Sequence, residues 1–451
     1  MSFKKDFVWG AATASYQIEG AALEDGKGLS VWDVLSHKEG FVRDDHNGDV
    51  ACDHYHRFKE DVELMKQMGL KAYRFSISWP RVLPNGIGEI NEKGLDFYDK
   101  LVDELLANGI EPYVTLFHWD FPNALFLKGD FMNPDSSDWF AEYTKVVVDR
   151  LSDRVSNWMT LNEPQCYVGL GHQLGEHAPG LKMAEPYLFQ IIHNMLLAHG
   201  KAVQVIRKYA KKKPVIGYAP VLGYIAPRTN SPEDIALAKE LMFSCQDDFC
   251  FSEPWWNMPI YKGCYPEDGL KLWEKWLPKI GQNDMKTIHQ PLDFFGFNFY
   301  RSPLSAGYVD GKPDLKVVHQ TGHPQTAFDW EVTPEGFYHM AKALYERYQL
   351  PLLITENGLA NQDWVSLDGK VHDPQRIDFL TRYLLALRKA ASEGVDVKGY
   401  MHWSLMDNFE WAAGYNKRFG MIYVDYETQE RILKDSAYWY KKVIETNGES
   451  L

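Results

Sequence analysis

Cysteine is scarce in this sequence: five residues among 451, an odd number, with no CxxC pair. This scarcity argues against a disulfide framework and against a cysteine-based zinc site, and it favours a reducing compartment. No apolar run approaches the roughly 18 residues that a membrane span needs, and the first residues lack the apolar core of a signal peptide. The sequence therefore predicts a cytoplasmic protein that has no membrane partner.

Positive charge is also in short supply. Lys and Arg number 48 against 62 Asp and Glu, which gives a formal net charge of -14, and the longest basic run is Lys211 to Lys213. Such a field repels phosphate backbones, so nucleic acid is not expected as a partner and a small neutral ligand is favoured. Internal repeats and low-complexity segments are missing as well. The sequence leaves the oligomeric state open, and a homo-oligomer is compatible with it.

Hydrophobic residues make up 45% of the chain, enough for a large core. Short β-rich apolar runs alternate with longer amphipathic stretches, which is typical of βα units. We predict eight strands, at 7–12, 71–76, 110–117, 155–161, 215–220, 292–298, 352–355 and 398–404. The fold class is therefore α/β, a single (β/α)8 TIM barrel over residues 1–451 with elaborated βα loops at 29–53, 226–248 and 307–330.

Two local patterns bear on helix ends and on metal binding. Asn91 is a candidate cap for the helix that follows it, and Gly109 is a candidate terminator of that helix. Cys52, Asp53, His54 and His56 precede a helix predicted at 57–68, and their alternation favours packing against the barrel wall over metal ligation. We expect no metal and no cofactor.

Two predicted strands end directly in a carboxylate, Glu163 after 155–161 and Glu356 after 352–355. In a (β/α)8 barrel the carboxyl ends of the strands surround the site, so these side chains should face one cavity. Pro164 is expected to restrict Glu163 to an extended backbone, and Gly358 to permit a sharp turn. A single strand-end Glu often forms a cap or a loop salt bridge, but a facing pair provides the proton donor and the carboxylate that glycosidic cleavage requires.

Several segments, in order along almost the whole chain, resemble family 1 glycoside hydrolases of the β-glucosidase type. T-L-N-E-P at 160–164 and I-T-E-N-G at 354–358 are similar to the acid/base and nucleophile motifs of that family. Further matches are F-V-W-G-A-A-T-A-S-Y-Q-I-E-G from Phe7, Y-R-F-S-I-S-W-P-R from Tyr73, F-H-W-D from Phe117 and W-S-L-M-D-N-F-E-W from Trp403. The resemblance implies that Glu163 is the general acid/base and Glu356 the nucleophile.

The resemblance also implies a set of substrate contacts. Hydrogen bonds to sugar hydroxyls would come from Gln17, His118, Asn162 and Glu410. Arg74 and Tyr300 would lie beside Glu356 and favour its ionised form, with Asn298 near both carboxyl groups; we therefore predict a protonated Glu163 and an ionised Glu356. Trp403 and Trp411 flank Glu410 and would stack on the sugar, and the remaining predicted contacts are Trp119, Trp330 on the aglycone side, and Phe419.

The implied activity is hydrolysis of terminal non-reducing β-D-glucosyl residues of cello-oligosaccharides and of aryl or alkyl β-glucosides, by double displacement. Some β-galactosidase and β-fucosidase activity is expected too, and a place in cellulose and polysaccharide degradation. A 6-phospho-β-glycosidase is the nearest alternative: Lys417 keeps it open, while the Glu410 carboxylate would repel a phosphate. A thioglucosidase would resemble this chain with glutamine in place of Glu163. The alternative from another class is a catalytically silent sugar-binding protein.

Overall fold

Eight parallel strands form the centre of the molecule. The computed structural model describes residues 2–318 and 321–451. In chain order the strands are β1 (Val8–Ala12), β2 (Ala72–Ser76), β3 (Glu111–Phe117), β4 (Asn157–Asn162), β5 (Val215–Ala219), β6 (Phe295–Asn298), β7 (Leu352–Asn357) and β8 (Val397–Trp403). Their order in the sheet is β5-β4-β3-β2-β1-β8-β7-β6.

Backbone hydrogen bonds join the two outer strands of this sheet, β5 and β6. The N–H of Asn298 donates to the carbonyl of Pro220 at 2.9 Å, and the N–H of Leu222 donates to the carbonyl of Asn298 at 3.0 Å. The sheet therefore closes on itself, which leaves no long edge open to solvent. The predicted α/β barrel is confirmed, and each strand lies where the apolar runs indicate, with small differences at the ends.

Helices surround the barrel and pack an apolar side against it. They are α1 (His54–Gln67), α2 (Glu92–Ala107), α3 (Ser136–Leu151), α4 (Glu185–Tyr209), α5 (Glu253–Lys262), α6 (Pro334–Tyr348), α7 (Pro374–Ser392) and α8 (Asp435–Glu445). In α2, for example, Leu95, Tyr98 and Leu105 recur at helical spacing and are all buried.

Two expectations about helix ends need correction, and one holds. Asn91 occupies the N-cap position of α2, but its side chain donates to the carbonyls of Asp25 and Arg81 and does not cap the helix. Gly109 follows the last turn with a left-handed φ of 72°, as a terminating glycine should. Helix α1 begins at His54, three residues before the predicted start, because the backbone N–H groups of His56 and Arg57 already donate to the carbonyl of Asp53 and close the first turn.

The three predicted loop insertions contain regular structure of their own. The segment after β5 includes a helix at Pro232–Met242 and a strand at Ile225–Pro227, and the latter pairs with a hairpin after β6 formed by Leu304–Val309 and Lys312–Val317. A second hairpin joins Ile422–Val424 to Arg431–Leu433. Short helices complete the loops, at Ser15–Ile18, Val31–Leu35, Arg43–Asp45, Trp79–Val82, Asn123–Phe126, Asp130–Met132, Pro164–Val168, Gly169–Leu174, Glu267–Leu272, Glu274–Trp276, Asp284–Ile288 and Trp411–Asn416.

Candidate active site

A cavity of about 600 Å³ opens at the carboxyl ends of the barrel strands. Four glutamates line it: Glu163, Glu356 and Glu410, and in the outer wall Glu176. Eight of the predicted site residues besides the two catalytic candidates are among its walls: His118, Trp119, Tyr300, Trp330, Trp403, Glu410, Trp411 and Phe419. The two carboxylates that the sequence places on separate strands thus face the same space.

Glu356 is the second-last residue of strand β7, and both of its carboxylate oxygens accept hydrogen bonds. Arg74, from β2, donates to Oε1 at 2.7 Å, and the Tyr300 hydroxyl donates to Oε2 at 2.7 Å. The Arg74 and Glu356 side chains are both buried, so the charge-assisted bond between them acts at low local dielectric. This arrangement holds the carboxylate in one orientation and favours its charged form.

Glu163 directly follows β4, and its backbone is left-handed, with φ 41° and ψ 57°. The expected extended backbone is therefore wrong: Pro164 excludes the right-handed helical region for Glu163, and the chain turns through the left-handed region into the short helix that Pro164 begins. The N–H of Glu163 still bonds to the carbonyl of Ala219 in β5. A left-handed glutamate is a strained feature of the kind that concentrates at functional sites.

The surroundings of the two carboxyl groups separate their proton affinities. Burial, followed by the nearby Glu356 charge, raises the pKa of Glu163 to about 8. Burial also raises the pKa of Glu356, but the Arg74 guanidinium and the Tyr300 hydroxyl oppose that rise. Because the Arg74 guanidinium contacts Glu356, Glu163 has the higher proton affinity of the two.

Asn162 connects Arg74 to the other polar groups of the site. Its Oδ1 accepts from Arg74 at 2.6 Å and from Asn298 at 3.0 Å, so its amide nitrogen must be the group that faces His118 Nε2 at 3.0 Å. Asn298 also donates to Glu163 Oε1 at 2.7 Å, and it accepts from the Thr355 hydroxyl. Arg74, Asn162 and Asn298 therefore form one continuous link between the two carboxyl groups.

The Asn162 side chain also determines which ring nitrogen of His118 carries the proton. Because Nε2 accepts from Asn162, the proton lies on Nδ1, and burial lowers the pKa of the ring so that it stays neutral. The Nδ1 atom is buried and has no hydrogen-bond partner among the described residues. A buried N–H in a cavity wall is a donor prepared for a ligand oxygen.

Gln17 and Glu410 form a second polar pair at the cavity. The Gln17 amide nitrogen donates to Asn408 Oδ1 at 3.0 Å, to the carbonyl of Phe409 at 2.9 Å and to Glu410 Oε2 at 3.4 Å. Its Oε1 is left buried with no partner in the described part of the chain. Burial and the charges of the other two glutamates raise the pKa of Glu410 to about 8.

Aromatic rings make up much of the remaining wall. Trp411 packs on Trp119 with ring centroids 4.7 Å apart, and Trp403 stacks on the His118 ring at 5.6 Å. The Trp119 N–H donates to the carbonyl of Asn162, so the polar end of this ring is used by the protein itself. Trp330 stacks on Phe328 at 4.9 Å. Such flat apolar faces suit the C–H faces of a sugar or an aryl group.

Four predicted residues, Gln17, Arg74, Asn162 and Asn298, are buried and are not among the residues that line the cavity. Gly358 fulfils a different need from the predicted turn, since a Cβ there would collide with the carbonyl of Trp403. Sequence reasoning missed most of the outer wall, which includes Cys166, Leu170, Glu176, His177, Leu222, Phe251, Arg301, Pro303 and Phe328. Only closeness in sequence to Glu163, Tyr300 or Trp330 could have indicated some of these.

Metal-ligand clusters and membrane-spanning helices are both missing from the residues that the structure describes. Within 2–318 and 321–451, His, Cys, Asp and Glu side chains do not gather in threes that could hold a metal ion. Over the same residues, no helix is both long and apolar enough to span a bilayer.

Two buried carboxyl groups of unequal proton affinity lie in a cavity at the carboxyl ends of a closed α/β barrel, among aromatic rings that suit a sugar. This combination is typical of glycoside hydrolases. Residues 1–449 match the model of Glycosyl hydrolase family 1. The chain belongs to glycosyl hydrolase family 1, and the expectation from sequence of an enzyme of the β-glucosidase type is confirmed.

Individual relatives agree with this assignment. The chain is 48% identical over 448 residues to Beta-glucosidase A of Thermotoga maritima, with 99% of this chain and 98% of the relative covered. A solved structure of a Thermotoga maritima beta-glucosidase in complex with glucoimidazole has a TM-score of 0.91 at 48% identity and covers 99% of both chains. An aryl-phospho-beta-D-glucosidase of Bacillus subtilis is 42% identical, with 100% of this chain and 98% of the relative covered.

Proposed function

We propose that this protein hydrolyses terminal non-reducing β-D-glucosyl residues of cello-oligosaccharides and of aryl or alkyl β-glucosides, with retention of configuration. The observation that carries the proposal is the placement of Glu163 and Glu356 in one cavity, with Arg74, the only cation among the described residues that contacts either of them, on Glu356. The β-glucosidase relatives support the same glycone. Side activity on β-galactosides and β-fucosides, and a cytoplasmic location, stay predictions from the sequence.

The proposed reaction has two displacements. Glu356 attacks the anomeric carbon while Glu163 gives its proton to the leaving glycosidic oxygen, which releases the aglycone as an alcohol and leaves a glycosyl ester on Glu356. Glu163, now ionised, takes a proton from water as the water attacks the anomeric carbon. The ester bond breaks, β-glucose leaves, and both carboxyl groups return to their starting protonation states.

The polar groups behind the cavity support sugar binding. His118 Nδ1 would donate to a hydroxyl, while Gln17 Oε1 would accept from one, since both atoms are buried and unpaired in the described structure. Asn162 is proposed to contact the 2-hydroxyl, where a hydrogen bond gains strength as charge develops on the ring. Glu410 would bind the 4- and 6-hydroxyls.

We predict strong discrimination against phosphorylated substrate. Glu410 lines the cavity, so its carboxyl group would face a phosphate at C6. Among the described residues of the wall the one Lys or Arg is Arg301, which is already paired with Glu331 at 3.0 Å, so a buried phosphate would lack a counter-charge. Lys417 is turned to the carbonyl of Ala327. The kcat/KM for p-nitrophenyl β-glucoside should exceed that for its 6-phosphate at least about 100-fold. Equal or reversed values would favour the 6-phospho-β-glycosidase.

A second prediction concerns pH. The acid step needs a protonated Glu163, and protonation is lost as pH rises through its pKa of about 8, so kcat/KM should fall on the alkaline side near that value. Ionisation of Glu356 sets the acidic limb. Glu410 has a similarly raised pKa, so the alkaline limb needs assignment. With a dinitrophenyl glucoside, which needs no acid, the Glu163→Ala variant should lose the alkaline limb; persistence of the limb would assign it to Glu410.

A panel of p-nitrophenyl β-glycosides together with cellobiose tests the proposed function. Hydrolysis of the β-glucoside and of cellobiose, with β-glucose as the first product by NMR, supports it. Retention of both carboxyl groups argues against a silent sugar-binding protein, and a glutamate at position 163 argues against a thioglucosidase. Absence of hydrolysis across the whole panel would favour the alternative function, a catalytically silent sugar-binding protein.

A further inference from the structure

A buried network of six charged side chains lies outside the cavity wall. Three are acidic, Asp363, Asp373 and Asp407, and three are basic, Arg376, Arg418 and Lys434. Lys434 donates to Asp363 and to Asp407, at 2.6 Å each, and Arg376 donates to Asp363 at 2.7 Å. The network is electrically balanced, and none of its ionic side chains is more than 15% exposed.

The network connects the loop after β7 to the loop after β8, and the second of these carries cavity residues. Asp363 and Asp373 belong to the loop that follows β7, the strand that contains Glu356, and Asp407 and Arg418 belong to the loop after β8, which carries Glu410 and Phe419. Between these loops, Arg376 also donates to the carbonyl of Arg418 at 2.9 Å. Lys434 lies just before α8 and joins the two loops through its ion pairs with Asp363 and Asp407.

Asp407 holds the loop after β8 at two points on either side of Phe419. Its Oδ2 accepts from Arg418 at 2.6 Å, and its Oδ1 accepts from the backbone N–H of Gly420 at 3.0 Å. On its other side, the next residue, Asn408, accepts from Gln17, which also donates to Glu410. The Asp407 carboxylate is therefore connected, through hydrogen bonds and neighbouring residues, to both Phe419 and Glu410.

We propose that Asp407, held between Lys434 and Arg418, is a positioning residue that sets the place of Glu410 and Phe419 relative to Glu356. This proposal rests on the proposed function, since it assumes that Glu410 contacts the 6-hydroxyl of the sugar. Buried ion pairs contribute little net stability compared with apolar packing, so fixing one conformation is a stronger reason for such a network. Small displacements far from the chemistry can cost up to about 100-fold in rate.

The test uses two substrates, p-nitrophenyl β-glucoside and p-nitrophenyl β-xyloside, which lacks the C6 hydroxymethyl group. In Asp407→Asn, the new amide cannot accept from both cations. The ratio of kcat/KM for glucoside over xyloside should fall about 10-fold, because only the glucoside uses the displaced 6-hydroxyl contact. A loss of folded protein would lower both values equally and leave the ratio unchanged.

Asp61→Asn is the matched control. Asp61 is also buried and accepts from His54 and Arg431, but it lies outside the network and does not line the cavity. This variant should lose stability without a change in the ratio. Arg418→Met, at the partly exposed end of the network, should lower the ratio as Asp407→Asn does, and Arg418→Lys should restore part of it.

An unchanged ratio in folded Asp407→Asn, or in folded Arg418→Met if the first variant does not fold, would overturn the proposal. Failure of both to fold would also overturn it, because the network would then serve stability alone. Wild-type protein that hydrolyses neither substrate would instead contradict the proposed function, so the two failures are distinguishable.

Discussion

Replacing Glu356 with alanine should abolish turnover, lowering kcat/KM for p-nitrophenyl β-glucoside at least about 10⁴-fold. The expected loss is large because neither of the other two buried carboxyl groups of the cavity is placed to form the glycosyl ester: Glu163 is the proposed proton donor, and Glu410 accepts from Gln17. The shortened side chain also leaves Arg74 without its ionic partner, so folding should be checked by circular dichroism. Rates within about 10-fold of wild type in a folded variant would end the nucleophile assignment.

A chemical rescue makes this result specific. Azide is small enough to enter the space left by the Glu356 side chain and would attack the anomeric carbon from the same face. The product should then be α-glucosyl azide, the inverted configuration, because a single displacement replaces two. Glu335→Ala, which removes an exposed glutamate in the first turn of α6, serves as the control and should retain wild-type rates. Rescue that gives a β-product would contradict the proposed geometry.

Replacing Glu163 with alanine should have an effect that depends on the leaving group. For cellobiose, whose sugar alkoxide is a poor leaving group, kcat/KM should fall about 10²- to 10⁴-fold. For 2,4-dinitrophenyl β-glucoside the first step needs no proton, so kcat/KM should change little. Because the same residue is the base of the second step, the glycosyl enzyme should accumulate, with a burst of dinitrophenol and a protein mass increased by one glucosyl group.

Wild-type protein under the same conditions provides the comparison for that burst. An equal loss of kcat/KM for both substrates would mean that Glu163 positions the sugar and does not donate the proton. A loss confined to the dinitrophenyl substrate would contradict the assignment altogether.

The strands and the catalytic candidates could be predicted from the sequence because both are local signals. Each strand is a run of apolar residues, and the carboxylates follow two of these runs directly, at Glu163 and Glu356. The barrel then requires that strand ends meet, so their shared cavity follows from the fold class. The prediction of one domain over residues 1–451 remains a prediction.

Features that depend on distant contacts could not be predicted in this way. The side chain of Asn91 has the usual chemistry of a cap, yet two carbonyls from another loop compete for it. The backbone of Glu163 is left-handed because β5 fixes its N–H while Pro164 starts a helix. Phe251 reaches the cavity wall from a segment between β5 and α5 that carries no local sign of such a role.

The crowding of three acids in one cavity also has a thermodynamic consequence for the whole protein. Glu163 and Glu410 keep their protons in the folded state up to a pKa of about 8, whereas in an unfolded chain they would release them near the ordinary value of 4.5. The unfolded state therefore binds fewer protons across this interval, and these two groups lower the free energy of unfolding as pH rises from about 4.5 to 8. The destabilising contribution of these two buried glutamates to the barrel is therefore largest at the alkaline end of this pH interval.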